Sequence, residues 1–269
     1  MGAKPIPESP DTRADDAAPT TTASGACCWC EDYPREVSTN ARQDYYRRFY
    51  GGAAASGRAP VKFRLIAALS TLEIKVEIRF HFVNVSASLE QLPECEELTR
   101  AGANRWNNQL KIRVEDPECG TKDLKVVFMV VNSASSPHYT IKLHNPIPPT
   151  QTDKGDTVLG RAYVVGDVMH VGIDTKEWTF FHEYGHCFGL PDEYGYSDDF
   201  TEQVVYLRPD GTQDPAIGVD RPAQRTSMST HGIYTVRARH GYGIAIELQK
   251  LLREKLGRTV RCTVVKPTT

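Results

Sequence analysis

Hydrophobic and charged residues alternate in one long stretch of the chain, whose apolar positions are Leu72, Ile74, Val76, Ile78, Phe80 and Phe82. Because successive side chains of a β-strand point to opposite faces, this alternation predicts a long, half-buried strand. Residues 124 to 131, LKVVFMVV, are apolar on both faces and predict a buried central strand. Two short strands divided by a turn at Gly166 and Asp167 are expected within residues 158 to 173.

Helical spacing of apolar residues appears on both sides of these strands. Residues 88 to 110 predict a helix, and Trp106 near its end is expected to anchor it in the core. Residues 244 to 256 carry a broad apolar face and predict a C-terminal helix stopped by Gly257, with one last strand after it.

Polar segments between these elements are expected to be loops. Residues 133 to 156 are interpreted as a loop in which His138 and His144 have no partner at ligand spacing. The acidic segment 195 to 226 favours a solvated loop over a calcium site, because it lacks an ordered DxDxDG pattern. Within it, QVVYLRPDGTQ predicts a hairpin with PDG at its turn.

The first 60 residues differ in composition from the rest of the chain. Residues 1 to 26 contain almost no large apolar side chains, so we expect a disordered tail. Residues 27 to 60 form a segment rich in cysteine and aromatic residues that ends in a linker of glycine and alanine. The remainder, residues 61 to 269, is long enough for one sizeable globular domain.

Charge and hydropathy exclude several classes of function. Lys and Arg number 32 against 34 Asp and Glu, so there is no basic excess to bind a phosphate backbone. We therefore expect no nucleic-acid partner. No apolar run approaches the roughly 18 to 20 residues of a membrane helix, and the N-terminus lacks a Sec signal pattern. We expect no membrane partner, and ordinary export is unsupported.

The strongest chemical signal is HEYGHCFGLPDEY, residues 182 to 194. His182 and His186 are four residues apart, so on a helix they lie one turn above each other and can bind one zinc ion. Apolar residues on both sides of the motif would tie this helix to the core. Glu183 would then project beside the metal as the general base, taking a proton from a zinc-activated water.

The start of this helix has a sequence signal of its own. Asp174 and Glu177 have the spacing of a capping box just ahead of the apolar run WTFF. The helix is therefore predicted to begin near Thr175, which places both histidines well inside it.

A catalytic zinc site needs a third protein ligand and one open position. Gly189 can end the helix in the left-handed conformation and return the chain, so that Asp192 approaches the metal. His240, on a predicted amphipathic helix at residues 235 to 250, and Glu193 compete for the role. We rank Asp192 first, His240 second and Glu193 third.

The pattern HExxHxxGxxD resembles the metzincin signature HExxHxxGxxH, with aspartate as third ligand as in the snapalysin-like branch. Met228, in RTSMST, is similar to the methionine of the metzincin Met-turn, an apolar floor beneath the zinc ligands. The resemblance covers about residues 70 to 256. It implies an α+β fold with a mixed twisted sheet, an active-site helix and a C-terminal helix. Residues 61 to 269 would form the zinc metallopeptidase domain.

The resemblance also implies the activity, a zinc-dependent endopeptidase with one catalytic Zn2+ that cleaves a peptide or protein substrate. The segment GRAYVV, before the active-site helix, would lie near the edge strand that binds an extended substrate by strand addition. Tyr234 and Tyr242 are candidates for stabilising the oxyanion, with a structural role as the alternative. We expect a monomer.

Two other functions stay open. One is a gluzincin-like peptidase, whose third ligand comes from a later helix, and the other is a non-catalytic metal-binding interaction module. The combination of a compact peptidase, a tail and no Sec signal resembles bacterial effector or toxin peptidases. That resemblance implies export by a specialised secretion system to the periplasm, a target cell or the extracellular space, and a cognate immunity protein. The other localisation is cytoplasmic.

Three of the seven cysteines, Cys27, Cys28 and Cys30, are clustered near the N-terminus. We favour a local packing role, because a structural zinc site needs a second ligand pair at matching spacing. The alternative is a metal-binding or self-inhibitory role, in which a thiolate such as Cys30 fills the open position of the zinc site. Cys95 and Cys119 are candidates for a bridge in an oxidising compartment.

Overall fold

The computed structural model describes residues 29–151, 157–158, 162–194, 203–216, 225–229 and 231–265. The tail predicted for residues 1 to 26 and parts of the acidic segment 195 to 226 lie outside them. The strands are β1 (Asp32–Asn40), β2 (Tyr46–Tyr50), β3 (Ala53–Ala54), β4 (Pro60–Ala68), β5 (Glu73–Asn84), β6 (Lys111–Asp116), β7 (Gly120–Asn132), β8 (Tyr139–His144), β9 (Thr150–Gln151), β10 (Thr157–Val158), β11 (Tyr163–Val165), β12 (Val168–Gly172), β13 (Gln203–Leu207), β14 (Gln213–Ala216) and β15 (Arg261–Val265). The helices are α1 (Ala41–Asp44), α2 (Leu92–Asn104), α3 (Glu177–Cys187) and α4 (Tyr242–Leu256). None of the helices in this described part is long and apolar enough to cross a membrane.

Nine strands of the described residues form one mixed sheet in the order β11-β12-β8-β5-β7-β6-β15, with β4 beside β5 and β1 beside β4. β5 is central, since it pairs with β7 along one edge and with β4 and then β8 along the other. β5, β7, β8 and β12 run parallel, whereas β1, β4, β6, β11 and β15 pair antiparallel. The architecture is therefore mixed α and β, with a twisted mixed sheet and few helices, consistent with the predicted α+β class.

The alternation predicted for β5 is confirmed, with Ile74, Val76, Ile78 and Phe80 fully buried on one face. Residues 124 to 131 lie in β7, which is central as predicted, yet only one of its faces is buried. Met129 on the other face is 37% exposed. The expected burial on both faces was wrong. Trp106, after α2, covers the face that carries Phe128, whereas Met129 is the next residue and therefore points to the other face.

Helix α2 and the turn after it hold α3 against the sheet. A β-carbon at Gly102 in α2 would lie 2.7 Å from the Phe181 nitrogen, so the two helices approach very closely. The fully buried Trp106 donates its Nε1–H to the Phe181 carbonyl at 2.9 Å. Its predicted role as a core anchor is confirmed, and through this hydrogen bond it also fixes the middle of α3.

One predicted loop contains a strand. Residues 133 to 156 include β8, which lies between β5 and β12 in the sheet. The loop prediction was wrong because the alternation in YTIKLH is short and is surrounded by serine and proline residues that favour loops. His144 in this strand hydrogen-bonds His170 in β12, with 3.0 Å between Nε2 and Nδ1. His138 accepts a hydrogen bond from the Arg79 backbone nitrogen at 3.1 Å.

The N-terminal strands belong to two sheets. β1 pairs along its whole length with β4 in the large sheet. β2 pairs with β13 in a four-stranded antiparallel sheet of order β14-β13-β2-β3. Within residues 51 to 60, β3 joins this second sheet and β4 begins at Pro60. β13 and β14 confirm the predicted hairpin, and α4 and β15 confirm the predicted C-terminal helix and last strand.

The cysteines correct two expectations. Cys95 is a free thiol and Cys119 is disulfide-bonded, so the suggested bridge between them is wrong. Cys95 lies on the buried face of α2, and this burial raises the pKa of its thiol to about 12. Cys30 is also disulfide-bonded, so it does not supply the thiolate that the self-inhibitory alternative requires.

Candidate metal centre

Helix α3 carries the HExxH motif and begins at Glu177, after Lys176. The predicted capping box at Asp174 was wrong, because the turn before the helix is shaped by a different contact. The Thr175 hydroxyl accepts a hydrogen bond from the Gly172 nitrogen at 2.8 Å, which keeps Thr175 in that turn. Both histidines of the motif nevertheless lie inside the helix, as predicted.

The end of α3 is set by Gly189, whose φ of +98° is left-handed. The Gly189 nitrogen donates to the His186 carbonyl, and the Leu190 nitrogen donates to the Gly185 carbonyl, both at 3.0 Å. These two bonds form a Schellman motif, so the chain reverses here as predicted. A β-carbon at Gly189 would lie 2.7 Å from the Tyr45 ring, which reserves the position for glycine.

Three side chains converge after this turn. His182, His186 and Asp192 offer ligand atoms that all lie within 4.8 Å of one another. The Asp192 Oδ1 atom is 3.1 Å from Nε2 of His182 and 3.3 Å from Nε2 of His186. The His182 side chain is almost fully buried, whereas those of His186 and Asp192 are 20% and 13% exposed. Solvent therefore reaches the cluster past these two residues.

The other ring nitrogen of each histidine binds a backbone carbonyl. Nδ1 of His182 donates to the Ser227 carbonyl at 3.0 Å, and Nδ1 of His186 donates to the Leu190 carbonyl at 2.7 Å. Because a neutral imidazole carries one proton, both Nε2 atoms are left with a lone pair. These lone pairs face the Asp192 carboxylate, and the three acceptors repel one another unless positive charge lies between them.

The pKa values reflect the same demand for positive charge. Burial lowers the pKa of His186, but the Asp192 carboxylate outweighs it and raises the pKa to about 9. Burial opposes the ionisation of Asp192, yet the two histidines hold its pKa well below the ordinary value. Glu183 is buried beside these groups, and its burial raises its pKa.

Met228 is fully buried and packs against α3. A β-carbon at Gly185 would lie 2.6 Å from the Met228 sulfur, so the helix rests directly on this side chain. The same turn supports the site with its backbone. The Ser227 carbonyl binds His182 at 3.0 Å, and the Met228 carbonyl accepts a hydrogen bond from the Glu193 nitrogen at 2.8 Å.

Glu193 and His240 lie together, outside the three-residue cluster. Nε2 of the fully buried His240 is 3.2 Å from Glu193 Oε1, and Arg239 binds the same carboxylate. Burial opposes ionisation, but His240 and Arg239 hold the pKa of Glu193 far below its ordinary value. His240 lies in a 3-10 turn, Ala238–Gly241, and not on the predicted helix. Of the three ranked candidates, Asp192 is the one that lies with the histidines.

Contacts elsewhere engage the two tyrosine candidates. The Tyr242 hydroxyl donates to Asp214 Oδ2 at 2.7 Å. Tyr234 is 39% exposed and packs against Phe181, with the Arg105 guanidinium over its ring. These contacts agree with the structural role that was the alternative for both residues.

Two aromatic residues beside the cluster were missed by the sequence reasoning. The Trp178 ring lies 5.2 Å from the His182 ring with 25° between their planes, and Trp178 Nε1 donates to the Ile233 carbonyl at 2.8 Å. The Tyr194 ring lies 6.1 Å from the same imidazole. Trp178 precedes His182 by four residues on α3, and this spacing could have indicated the contact.

Comparison with known proteins assigns no family to the chain. No protein-family model matches it. No curated protein matches it either.

Proposed function

We propose that the protein is a zinc-dependent endopeptidase whose metal is held by His182, His186 and Asp192. The observation that carries this proposal is the convergence of two imidazole lone pairs and a carboxylate oxygen. Zinc binds such donors at about 2.0–2.2 Å, and the corners of a tetrahedron of that size are about 3.3–3.6 Å apart. The 3.1 and 3.3 Å that separate Asp192 Oδ1 from the two Nε2 atoms fit a shared ion with little movement.

Glu183 would supply the proton chemistry. A bound zinc ion would act as a Lewis acid for the water and for the substrate carbonyl. The buried Glu183 carboxylate has a raised pKa, which makes it a better proton acceptor than an exposed carboxylate. It would accept a proton from the attacking water and return it to the amide nitrogen as the peptide bond breaks.

A metzincin-like arrangement belongs to the same proposal. It is supported by the Gly189 turn, by Asp192 beside the two histidines and by Met228 packed against α3. It is also supported by β11, which pairs with β12 and stands last in the strand order of the described sheet. An extended peptide would pair with the outer edge of β11, and this would align it along α3.

The gluzincin-like alternative requires a third ligand from a later helix. Both ring nitrogens of His240 are engaged, since Nδ1 accepts from the Arg237 nitrogen and Nε2 donates to Glu193, each at 3.2 Å. This arrangement favours Asp192 over His240 as the third ligand. The non-catalytic metal-binding module differs from the peptidase in activity alone, so it is tested by the experiment below.

The proposed setting is an oxidising compartment, as for a bacterial effector exported by a specialised secretion system. Cys30 and Cys119 are both disulfide-bonded, and such bonds persist in the periplasm or outside the cell. A monomeric protein, and an immunity protein that covers the cleft in the producing cell, belong to this proposal.

Glu183→Gln tests the proposed chemistry. We expect stoichiometric zinc in the wild type and in the variant, but cleavage of casein or a peptide pool by the wild type alone. Chelation should abolish cleavage and added zinc should restore it. Glu177→Gln is a matched control on the same helix, where it removes only a partly exposed ion pair with Arg105.

Two outcomes would contradict parts of this proposal. Full activity of the Glu183→Gln variant would remove the mechanism. Stoichiometric zinc in a wild type that cleaves no peptide would favour the binding module.

A further inference from the structure

The segment that carries Asp192 has no regular secondary structure to hold it. Residues 190 to 194 follow the Schellman turn and lie in neither a helix nor a strand. A metal ligand must be held within about 0.5 Å of its working position. Aspartate reaches the metal through a single methylene group, so the backbone of this segment needs an anchor of its own.

Glu193, the next residue, is anchored from several directions. It is 1% exposed, and its Oε1 atom accepts hydrogen bonds from the Tyr206 hydroxyl at 2.8 Å, Arg239 Nε at 2.7 Å and His240 Nε2 at 3.2 Å. Its Oε2 atom accepts from the Thr226 hydroxyl at 2.6 Å and from Arg239 Nη2 at 2.9 Å. Both carboxylate oxygens are therefore held by more than one donor.

These donors come from three separate parts of the chain. Tyr206 lies in β13, and Thr226 lies in the turn that carries Met228. Arg239 and His240 lie in the 3-10 turn before α4. The Glu193 backbone nitrogen also donates to the Met228 carbonyl at 2.8 Å. Main chain and side chain of Glu193 are thus held by residues outside α3, while the preceding side chain, Asp192, lies against the two histidines.

We infer that Glu193 is a positioning residue, which holds the Asp192 carboxylate at the metal and thereby sets the zinc affinity. This inference rests on the proposed function, because it assumes that Asp192 is a zinc ligand. Glutamine at position 193 keeps the size of the side chain, but its NH2 group cannot accept hydrogen bonds. At whichever oxygen position the NH2 group takes, a nitrogen donor of Arg239 would then face another donor, and the segment would shift.

A buried ion network can also be purely structural, so the test needs a control of the same kind. Asp116 in β6 has a side chain only 1% exposed, and Arg258 binds it through Nε at 2.9 Å and through Nη2 at 2.7 Å. It takes no part in the hydrogen bonds that hold Glu193. Asp116→Asn therefore removes a buried carboxylate that is also held by an arginine, without touching the anchor of Asp192.

The experiment measures zinc dissociation constants by chelator competition, together with the visible spectrum of the cobalt-substituted protein. Glu193→Gln should bind zinc about 10- to 100-fold more weakly than the wild type, as expected for loss of a group that orients a ligand. Its cobalt spectrum should shift, because the ligand geometry changes. Asp116→Asn should lower the melting temperature but leave both metal readouts at wild-type values. Wild-type affinity and an unchanged spectrum in Glu193→Gln would overturn the inference.

A milder variant covers the case in which Glu193→Gln does not fold. Tyr206→Phe removes one hydroxyl and should weaken zinc binding about three- to fivefold, the effect of a single hydrogen bond. Unchanged zinc affinity in this variant would overturn the inference. The metal readouts need no substrate, so the two hypotheses can fail separately. A wild type that binds no zinc removes the proposed function, whereas zinc binding that is unaffected by these variants removes only the role of Glu193.

Discussion

Among the described residues, the α3 pair His182 and His186 and the sheet pair His144 and His170 differ in what their ring nitrogens bind. In α3, each Nδ1 donates to a backbone carbonyl, so Nε2 of His182 and of His186 keeps a lone pair for a third group. In the sheet, Nε2 of His144 and Nδ1 of His170 bind each other at 3.0 Å. The first pair can therefore offer two acceptor nitrogens to an ion, whereas the two rings of the second pair are hydrogen-bonded to each other.

The geometry of the second pair is that of a hydrogen bond. The ring centroids of His144 and His170 are 5.1 Å apart with 15° between the planes, so the rings lie edge to edge along the nitrogen–nitrogen contact. His170 also stacks on Tyr163 of the edge strand, with centroids 4.5 Å apart. Two close histidines are therefore left able to bind a metal when other groups, here backbone carbonyls, occupy their remaining nitrogens.

Replacement of one histidine in each pair should give the largest contrast. His186→Ala removes one of the proposed ligands, so zinc affinity should fall by more than the roughly 100-fold caused by loss of an outer hydrogen-bonding partner. His170→Ala should retain stoichiometric zinc with wild-type affinity. Metal analysis after dialysis, followed by chelator competition, measures both. Equal losses in the two variants would contradict the distinction between the pairs.

The turns beside the two pairs offer a second and smaller contrast. Gly189→Ala should lower the free energy of unfolding by about 2–4 kcal/mol, because the left-handed backbone is strained and the new methyl meets the Tyr45 ring. Gly166 has a φ of +63° but open space around it, so Gly166→Ala should cost only about 1 kcal/mol. Urea unfolding compares the two variants, and equal values would show that the contact with Tyr45 is unimportant.

Acid should produce the smallest effect, and the pair in the sheet should account for part of it. Burial lowers the pKa of His144 and of His170, and the nearby Lys142 adds to this effect. The folded protein then binds fewer protons than the unfolded chain. Their contribution to stability is complete above the ordinary histidine pKa of about 6.5 and is lost as the pH falls below it.

The pH effect can be measured with the double variant His144→Gln/His170→Gln. Between about pH 7 and pH 5, its melting temperature should fall less than that of the wild type. Zinc-saturated protein is used for both, so that the histidines of α3 contribute little to the difference. The same pH slope in both proteins would contradict the assignment.

Elements that depend on local pattern were predictable from the sequence. The alternation in β5 follows from the period of a strand, and the turn at Gly189 follows from the freedom of glycine to adopt positive φ. The proximity of His182 and His186 follows from the rise of a helix. Asp192 could be placed near them because it is only the sixth residue after His186.

Contacts between distant segments were not predictable in this way. The anchoring of Glu193 depends on Tyr206 and Arg239, which are 13 and 46 residues away, and no periodic pattern relates them. The strand β8 was missed because its pairing with β5 and β12 outweighs a weak local signal. The state of Cys119 depends on which part of the chain lies beside it, and sequence spacing does not determine that.

The fluorescence of the three tryptophans can report on three parts of the molecule, because each indole lies in a different environment. Trp29 donates to the carbonyl of the disulfide-bonded Cys119, Trp106 is fully buried in the core, and Trp178 lies against the His182 ring. Indole fluorescence responds to neighbouring imidazole and sulfur groups. Filling of the metal centre should therefore change the emission of Trp178, unfolding should change that of Trp106, and reduction should change that of Trp29. Three variants that each retain a single tryptophan would report these three events separately.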